Sequence, residues 1–556
     1  MGSLSMTVAC TGNHVDLTTE SLTESDSIPA EAVHPNLFLN EREIQQIRAR
    51  IQSEVEPLAT QFEVLLTRAE LPLDPIYSGR EAQELYNFLR PNSSKPVYNA
   101  LAYSVTQDES YALRVKTDLL KLAATSLSQV ENYLDFEDET NQRPIVNVAL
   151  DLSIAFTDFA FAFDLIYYSA NFSEDERLVV RAWFEKAYHL IKQGAQYWQE
   201  NVNYCHHSSN HVTNHLTGLV SLAYVLDQPL LAESLLLGQE VPKNWLNLIE
   251  EVVYMKGDEI LGCDRRDPGL TPERGEIVDR YRHYDQSTHK GYGYSLLTVV
   301  NLSLSAEAAL HHGIDLFRYE ASTGESLKLP AQYYSYYYGT FYEIGGDNQV
   351  QIQPSGYPGE ENYTDEILRR DYNNLFELMS KRYNNDPQIT RAFTKIENEP
   401  RERYNFQPGF FGKMFERGRL SWDFHIDADF EGWKIDETAS VIDGSLKVIS
   451  AAGQIMLKSP DLHLEASDYN KAILRLKLER TGAASDTVNA KISWQTSLGF
   501  GGQMNRSLKI IDNQYYDIEF DLGQLDLWRG EITSLKFQLE QVPGVGITID
   551  YIRLED

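Results

Sequence analysis

Apolar side chains recur at helical spacing over residues 35–317. Three isoleucines follow Asn40 at that spacing, and Asn40 is placed to cap the helix that they predict. Residues 146–168 form a long, mostly apolar stretch, which is typical of a helix buried on most sides. Ser173 and Glu176 have the spacing of a capping box, which starts the next helix. This part of the chain is therefore predicted to be a series of stacked helices.

Two further helices are predicted beyond the capping box. Residues 211–226 have helical spacing and end at Asp227-Gln228-Pro229, and residues 296–312 end at Gly313, which is placed as a helix C-terminal stop. Residues 331–423 differ, because they combine many tyrosines with loop signals around Gly345 and Pro354. The tyrosines either stack on sugar rings or form a packing layer between two domains, and the pattern does not separate these alternatives.

The period changes to two after Phe424. Leucines 474, 476 and 478 alternate with charged residues, and the same alternation recurs around Ile518, Phe537 and Ile549. Several short, half-buried strands at this density predict an antiparallel β-sandwich. Its opening, Asp429 to Trp433, resembles the first strand of jelly-roll modules appended to carbohydrate-active enzymes. The sandwich is expected to bind glycan or to brace the helical domain.

The chain is thus predicted to be multidomain. Residues 1–30 are a polar, flexible leader, 31–330 a helical catalytic domain, 331–423 a Tyr-rich extension and linker, and 424–556 the sandwich, a candidate carbohydrate-binding module. No apolar run of ~20 residues is present, so no membrane span is predicted. The three cysteines form neither a disulfide framework nor a zinc pattern, and Cys205 and Cys263 are either bridged or two free thiols.

Charge narrows the classes of partner. The 556 residues carry a formal charge of −33, which is unsuited to broad nucleic-acid binding because that requires a basic footprint. A polyanionic substrate would need a locally basic cleft. Residues 264–290 contain six basic and six acidic side chains, so that window is neutral within an acidic protein.

Histidines are concentrated in one short segment. Four of the 13 lie in residues 206–215, where Asn210-His211 is repeated one helical turn later as Asn214-His215. Two histidines at this spacing can hold zinc, but the glutamate of a HExxH motif is missing and no third ligand is evident, so neither a metal nor another cofactor is predicted. The alternative for such residues is a satisfied place in the core.

A second group of reactive side chains follows. Arg280, Arg282, Tyr284 and His289 precede Tyr292 and Tyr294. Arginine can hold a carboxylate with two hydrogen bonds, and tyrosine near a cation can accept and return a proton. These residues are either catalytic or an exposed loop before the helix of residues 296–312.

Together the two groups supply what β-elimination on a uronate requires. The proton on C5 of the sugar leaves only if the charge that develops on the adjacent carboxylate is stabilised, as Asn, His or Arg can do. A base must remove that proton, and an acid must protonate the O4 leaving group.

The sequence resembles the alginate-lyase-type polysaccharide lyases over residues 34–317. The matching segments are His34-Pro35-Asn36-Leu37-Phe38, Phe163 to Tyr168, Asn210-His211 with Asp227 downstream, and Tyr294 before His312-Gly313-Ile314-Asp315-Leu316. The resemblance implies an (α/α) toroid and a secreted, periplasmic or cell-surface enzyme.

The resemblance also implies site roles. Asn210 and His211 would neutralise the carboxylate, Tyr294 would be base and acid, and Arg282 would assist. His215, Tyr284, His289 and Tyr292 are predicted to bind substrate. Ser209 and Ser287 stand where the family has Asn and Arg, which leaves Arg280 as an alternative arginine, and Tyr284 and Tyr292 as alternative catalytic tyrosines.

The departures from the family pattern indicate a divergent branch. The resemblance implies alginate or a related polyuronate as the substrate, and the departures favour glucuronan or another uronate polymer over alginate. Two alternatives stay open from sequence. One is a glycoside hydrolase on the same toroid, with Asp264, Asp267 or Glu273 as candidate carboxyls. The other is a glycan-binding protein without activity.

Overall fold

The structure is a computed structural model in which the chain has a helical part followed by a strand-rich part. In the helical part the described residues are 34–52, 58–75, 82–132, 144–202, 206–259, 272–281, 290–343, 373–383, 386, 388–390, 392 and 411. In the strand-rich part they are 420–422, 424, 430–435, 438–442, 445–449, 453–460, 462, 464–466, 469–480, 487–509, 514–540 and 545–555.

The first part is mostly helical, with isolated β-bridges at Val253–Ile277 and Glu320–Ser326 among its described residues. Its helices are α1 (Glu41–Gln52), α2 (Leu58–Ala69), α3 (Ala82–Thr106), α4 (Glu109–Asn132), α5 (Pro144–Ile166), α6 (Glu174–Asn201), α7 (Asn210–Val225), α8 (Pro229–Leu236), α9 (Trp245–Val252), α10 (Lys290–His311), α11 (Lys328–Glu343) and α12 (Asn373–Arg382). Among the described residues, no helix combines the length and apolar character needed to cross a membrane.

The predicted helix signals are confirmed at both kinds of terminus. Asn40 accepts from the Glu43 amide at 3.0 Å, and the Ser173–Glu176 capping box is complete in both directions. Gly313 has φ of +86°, the left-handed conformation that ends α10 and that glycine adopts without steric cost. α10 begins at Lys290, six residues before the predicted start.

Side-chain contacts give the relative direction of neighbouring helices. The Asn301 amide donates to Thr213 at 3.1 Å, and the hydroxyls of Thr217 and Ser305 lie 3.0 Å apart. Residues four positions later on α7 contact residues four positions later on α10, so the two helices run parallel. α6 runs the opposite way, since its C-terminal end packs on the start of α7. Parallel helices alternating with an antiparallel neighbour are the arrangement expected of the predicted toroid.

The second part is a pair of antiparallel sheets, as the period of two predicts. The strands are β1 (Leu420–Trp422), β2 (Lys434–Ile435), β3 (Thr438–Ile442), β4 (Ser445–Ile449), β5 (Gln454–Lys458), β6 (Leu464–Glu465), β7 (Lys471–Arg480), β8 (Thr487–Thr496), β9 (Gly501–Lys509), β10 (Tyr515–Asp521), β11 (Glu531–Glu540) and β12 (Val545–Glu555). One sheet has the order β10-β7-β12-β4-β3 with β1 beside β12, and the other β2-β5-β11-β8-β9 with β6 beside β11.

Two details of the sandwich differ from the sequence interpretation. β1 begins at Leu420, before the predicted boundary at 424. Phe430 to Trp433 is a turn and not the first strand, because Glu431 and Gly432 have φ of +48° and +80°. The strand follows at Lys434. Trp433 itself is buried in the core of the sandwich.

The Tyr-rich segment begins as a helix, α11. Tyr334 is fully buried in the helical core, and the Tyr333 hydroxyl donates to Glu276 at 2.8 Å. These two tyrosines therefore pack the structure, whereas Tyr336 is 58% exposed. The loop signals around Gly345 and Pro354 lie outside the described residues.

Candidate active site

The candidate site is built around the start of α7, where Asn210 is the first helical residue. The preceding Ser209 makes no side-chain cap, because its hydroxyl donates back to the His206 carbonyl at 3.0 Å. The cap comes instead from Asp279, whose Oδ2 accepts from the Asn210 amide at 2.7 Å. Asp279 is 1% exposed. A carboxylate thus already occupies the positive end of α7, so a bound anion there would have to be met by side chains.

The His211 ring is held by contacts on its face and its edge. It stacks on Trp198 of α6, with ring centroids 4.5 Å apart and planes 20° from parallel. Its Nδ1 lies 3.2 Å from Oδ1 of Asn210. These contacts fix the plane of the imidazole. Because Nδ1 faces Asn210, Nε2 lies on the side of the ring away from Asn210. His211 is partly exposed, whereas Asn210 is 3% exposed.

The loop before α7 is tied to the end of α6. The Trp198 indole donates to the His206 carbonyl at 2.9 Å, and Gln199 donates to the His207 carbonyl at 3.0 Å. The His207 ring bonds in turn to the Val202 carbonyl at 2.9 Å. His206 and His207 therefore position the Asn210–His211 pair, and the predicted cluster of histidines is partly scaffold.

Tyr294 lies on the helix next to this pair. The Thr298 hydroxyl, one turn after Tyr294, donates at 2.7 Å to the same Asp279 oxygen that caps α7. The first turns of α10 thus lie beside the first turn of α7, and Tyr294 is at the same end as Asn210 and His211. Its side chain is partly exposed.

The predicted substrate contact of His215 does not fit the structure. The ring is 1% exposed and lies edge-on to Trp198 with centroids 6.2 Å apart. Burial lowers its pKa to about 4, so it is neutral at physiological pH. The Asn-His pair is repeated in the sequence, but the second histidine, one helical turn further along α7, points into the core.

Arg280, the alternative catalytic arginine, is also buried. It is 1% exposed, and its Nε lies 3.1 Å from Oε1 of Glu276, which also accepts the Tyr333 hydroxyl. This pairing assigns Arg280 to the scaffold beneath α10. Arg282, Tyr284 and His289 lie outside the described residues, as do Cys205 and Cys263, and the side chain of Tyr292 is not described.

Sequence reasoning missed three residues that position the site. Asp279 and Thr298 join the starts of α7 and α10, and Trp198 supports His211. Ser209 gave no signal of this, because a serine at the N-cap position predicts that it caps its own helix. No sequence rule identifies that distant carboxylate, because it lies 69 residues away along the chain.

A possible metal ligand set lies elsewhere in the helical part. Side-chain atoms of Glu43, Glu307 and His311 all lie within 4.8 Å of one another. However, Lys381 is 2.6 Å from Glu43, and Arg382 donates through Nε to Glu307 at 2.7 Å. Two cations already compensate the carboxylates, so this cluster is explained as a buried ion-pair network that joins α1, α10 and α12.

No protein-family model and no curated protein matches the sequence. An alginate lyase from Bacteroides ovatus is 14% identical, with a TM-score of 0.44, over 69% of this chain and 100% of that one. An alginate lyase from a Sphingomonas species is 13% identical, with a TM-score of 0.43, over 66% of this chain and 100% of that one.

The sandwich has a separate set of similar structures. One is a family 11 carbohydrate-binding module from Clostridium thermocellum, which is 15% identical, with a TM-score of 0.16, over 25% of this chain and 88% of that module. In structure, this chain is therefore similar to alginate lyases over about two thirds of its length, at low sequence identity.

Proposed function

We propose that the protein is a polysaccharide lyase that cleaves a uronate-containing polymer, alginate or a relative such as glucuronan, by β-elimination. The observation that carries the proposal is the placement of Asn210, His211 and Tyr294 at one end of two parallel helices, joined through Asp279. Hydrogen-bond donors and a phenol at the same end of neighbouring helices are the groups this chemistry needs.

The carboxylate of the sugar would be met by the Asn210–His211 pair. Nε2 of His211 and the side-chain amide of Asn210 would donate to the carboxylate oxygens. They would stabilise the negative charge that develops as the C5 proton leaves. Asp279 fixes the helix start that carries both residues, and Trp198 fixes the ring plane. Pre-set donors of this kind lower the barrier because they need no reorganisation during the reaction.

Tyr294 would move the protons. As phenolate, it would remove the C5 proton, and the electron pair would form the C4–C5 double bond as the bond from C4 to O4 breaks. The same hydroxyl would then return the proton to O4 of the leaving chain. We assign Arg282 to stabilise the phenolate form. Tyr284, His289 and Tyr292 are assigned to substrate binding on the same grounds of sequence position.

One observation favours a glycoside hydrolase as the second candidate function. Glu273 is exposed on the segment that leads to Asp279, and partial burial of its carboxyl and the nearby Glu276 raise its pKa. A carboxyl with a raised pKa is the usual general acid of a glycosidase. A hydrolase also needs a second carboxylate, and Asp264 and Asp267 lie outside the described residues.

The experiment that tests the proposal is a substrate panel. The protein is incubated with alginate blocks, glucuronan, hyaluronan, pectate and a neutral β-glucan, while ultraviolet absorbance and new reducing ends are followed together. A lyase produces both signals from at least one polyuronate, because its product is a conjugated unsaturated uronate. New reducing ends without absorbance would establish a hydrolase, and neither signal on any polymer would reject the proposal.

A further inference from the structure

The outer face of the sheet that contains β11 carries a row of basic side chains. Because strand register places paired residues on the same face, one row crosses all five strands of the main path. That row is Lys434, Lys458, Lys536, Ser493 and Gln503. The next row, across four strands, is Met456, Gln538, Lys491 and Asn505. These two rows contain no carboxylate, and we refer to them as the lysine face.

The side chains of the lysine face point away from the core. Lys434 and Lys458 are exposed, and Lys491 and Lys536 are partly exposed. Their strand neighbours Leu457, Ile492 and Phe537 point the other way and are buried in the sandwich core. The alternation therefore fixes four lysines on one surface that three amide side chains and one hydroxyl complete.

The opposite sheet shows that this pattern is not general. On its outer face Arg475 lies 3.1 Å from Asp517 and 3.2 Å from Asp550, and Lys477 lies 3.0 Å from Glu479. Basic and acidic groups there alternate and compensate each other. The two rows of the lysine face contain four lysines and no acidic side chain, in a chain whose formal charge is −33. Glu540, in the row beyond, accepts from the Gln538 amide at 2.6 Å.

We propose that the lysine face binds an anionic polysaccharide along the row of strands. Strands are spaced ~4.8 Å apart, so the five-strand row is about 19 Å long, which suits several consecutive sugars of an extended chain. Lysines can meet carboxylates, and amide and hydroxyl side chains can bond sugar hydroxyls. The choice of a uronate polymer as occupant rests on the proposed function, whereas the basic face itself does not.

Nucleic acid is the less favourable occupant. Single strands bind where aromatic side chains stack on the bases within a basic groove. The two rows of the lysine face contain lysine, amide, hydroxyl and methionine side chains and no aromatic ring. Lysine, amide and hydroxyl side chains can bond sugar carboxylates and hydroxyls directly, whereas unpaired bases need stacking partners.

The test uses the full chain in native gels that contain dissolved polymer. The His211→Ala background prevents cleavage by the proposed mechanism, so retardation reports binding alone. The test variant adds Lys458→Glu and Lys536→Glu on the lysine face. The matched control adds Lys447→Glu and Lys477→Glu on the opposite sheet, which changes the net charge equally. Polymers are alginate, polygalacturonate, neutral β-glucan and single-stranded DNA.

We expect alginate or polygalacturonate to retard the background protein and the control alike. The lysine-face variant should bind the same polymer at least about tenfold more weakly. Equal loss in both double variants, equal retardation by β-glucan, stronger retardation by DNA, or no retardation by either polyuronate would overturn the proposal. Because the readout is binding, a protein inactive in the substrate panel could still pass this test, so the two proposals fail separately.

Discussion

The two ends of α7 hold polar clusters of opposite character. At the start, His211 is partly exposed, and so is Tyr294, which lies in the first turns of α10 at the same end. At the far end, His34 is 7% exposed and lies between Asp164 and Asp227, at 2.5 and 3.3 Å. Arg181 in turn donates to Asp227 at 2.6 Å. One end presents its histidine toward solvent, and the other uses it to join parts of the chain.

The backbone around His34 shows what the far cluster does. The amides of Asn36 and Leu37 donate to Asp164 at 2.9 and 2.8 Å, which fastens the segment before α1 to the end of α5. The His34 ring also stacks on Tyr167 with centroids 3.8 Å apart. Similar residue types thus stabilise the fold where they are buried beside carboxylates, as His34 is, and remain accessible where the ring is partly exposed, as in His211.

The largest effect is expected from Tyr294→Phe. Removing the hydroxyl removes the proposed base and acid, so kcat should fall ~10³-fold, within the range for proton transfer by a positioned side chain, while polymer binding stays. Tyr336→Phe, on an exposed tyrosine of α11, is the matched control and should be silent. Activity retained in Tyr294→Phe would move the role to Tyr292 or Tyr284.

His211→Ala should lower kcat ~10²-fold or more, the scale seen when one charge-stabilising donor is removed. The control is His312→Ala, since His312 also stacks on an aromatic ring, Tyr224, with centroids 3.9 Å apart at the far end. Steady-state rates and thermal unfolding are measured for both. The comparison between the two ends fails if His211→Ala changes stability alone, or if His312→Ala loses as much activity.

Stability should depend on the charge of His34. Hydrogen bonds and charges from Asp164 and Asp227 outweigh burial and raise its pKa from 6.5 to about 9. Protonated His34 therefore contributes fully to the free energy of unfolding below pH 6.5. This contribution of ~3 kcal/mol is lost as the pH rises through about 9. Urea unfolding at pH 6 and pH 9.5 should show it in the wild type and not in His34→Gln. Equal pH dependence in both proteins would contradict the assignment.

Asp279→Asn should have the smallest effect, because the shape of the cap is kept while its charge is lost. We expect ~1 kcal/mol of destabilisation and a severalfold lower kcat, since α7 carries the reactive pair. Asp315→Asn is the control: Asp315 caps a short helix by accepting from the Phe317 amide at 3.1 Å. That variant should change unfolding and leave kcat intact, and a matching loss of kcat would remove the special role of Asp279.

Local rules predicted the elements that local forces determine. The caps at Asn40 and Ser173, the stop at Gly313 and the alternating leucines of β7 depend on neighbours within a few residues. They were read correctly for that reason. The turn at Phe430 to Trp433 was not, because two residues there adopt positive φ.

The site depended on contacts between distant segments. Asn210 was placed correctly at a helix start, yet its cap, Asp279, comes from another part of the chain. The burial of His215 and Arg280 follows from how α7 packs on its neighbours, which spacing along one helix does not encode. A sequence thus suggests which residue types react, and packing decides which of them reach solvent.

The most direct measurement follows the C5 hydrogen itself. A polyuronate carrying deuterium at C5 is cleaved by the wild-type protein, and the new non-reducing ends are weighed by mass spectrometry. β-Elimination predicts that each new end is lighter than the corresponding hydrolysis product by the elements of one HDO, because the C5 deuterium is removed and the C4 hydroxyl is absent. Ends that keep the deuterium and gain water would contradict the proposal that Asn210, His211 and Tyr294 perform β-elimination.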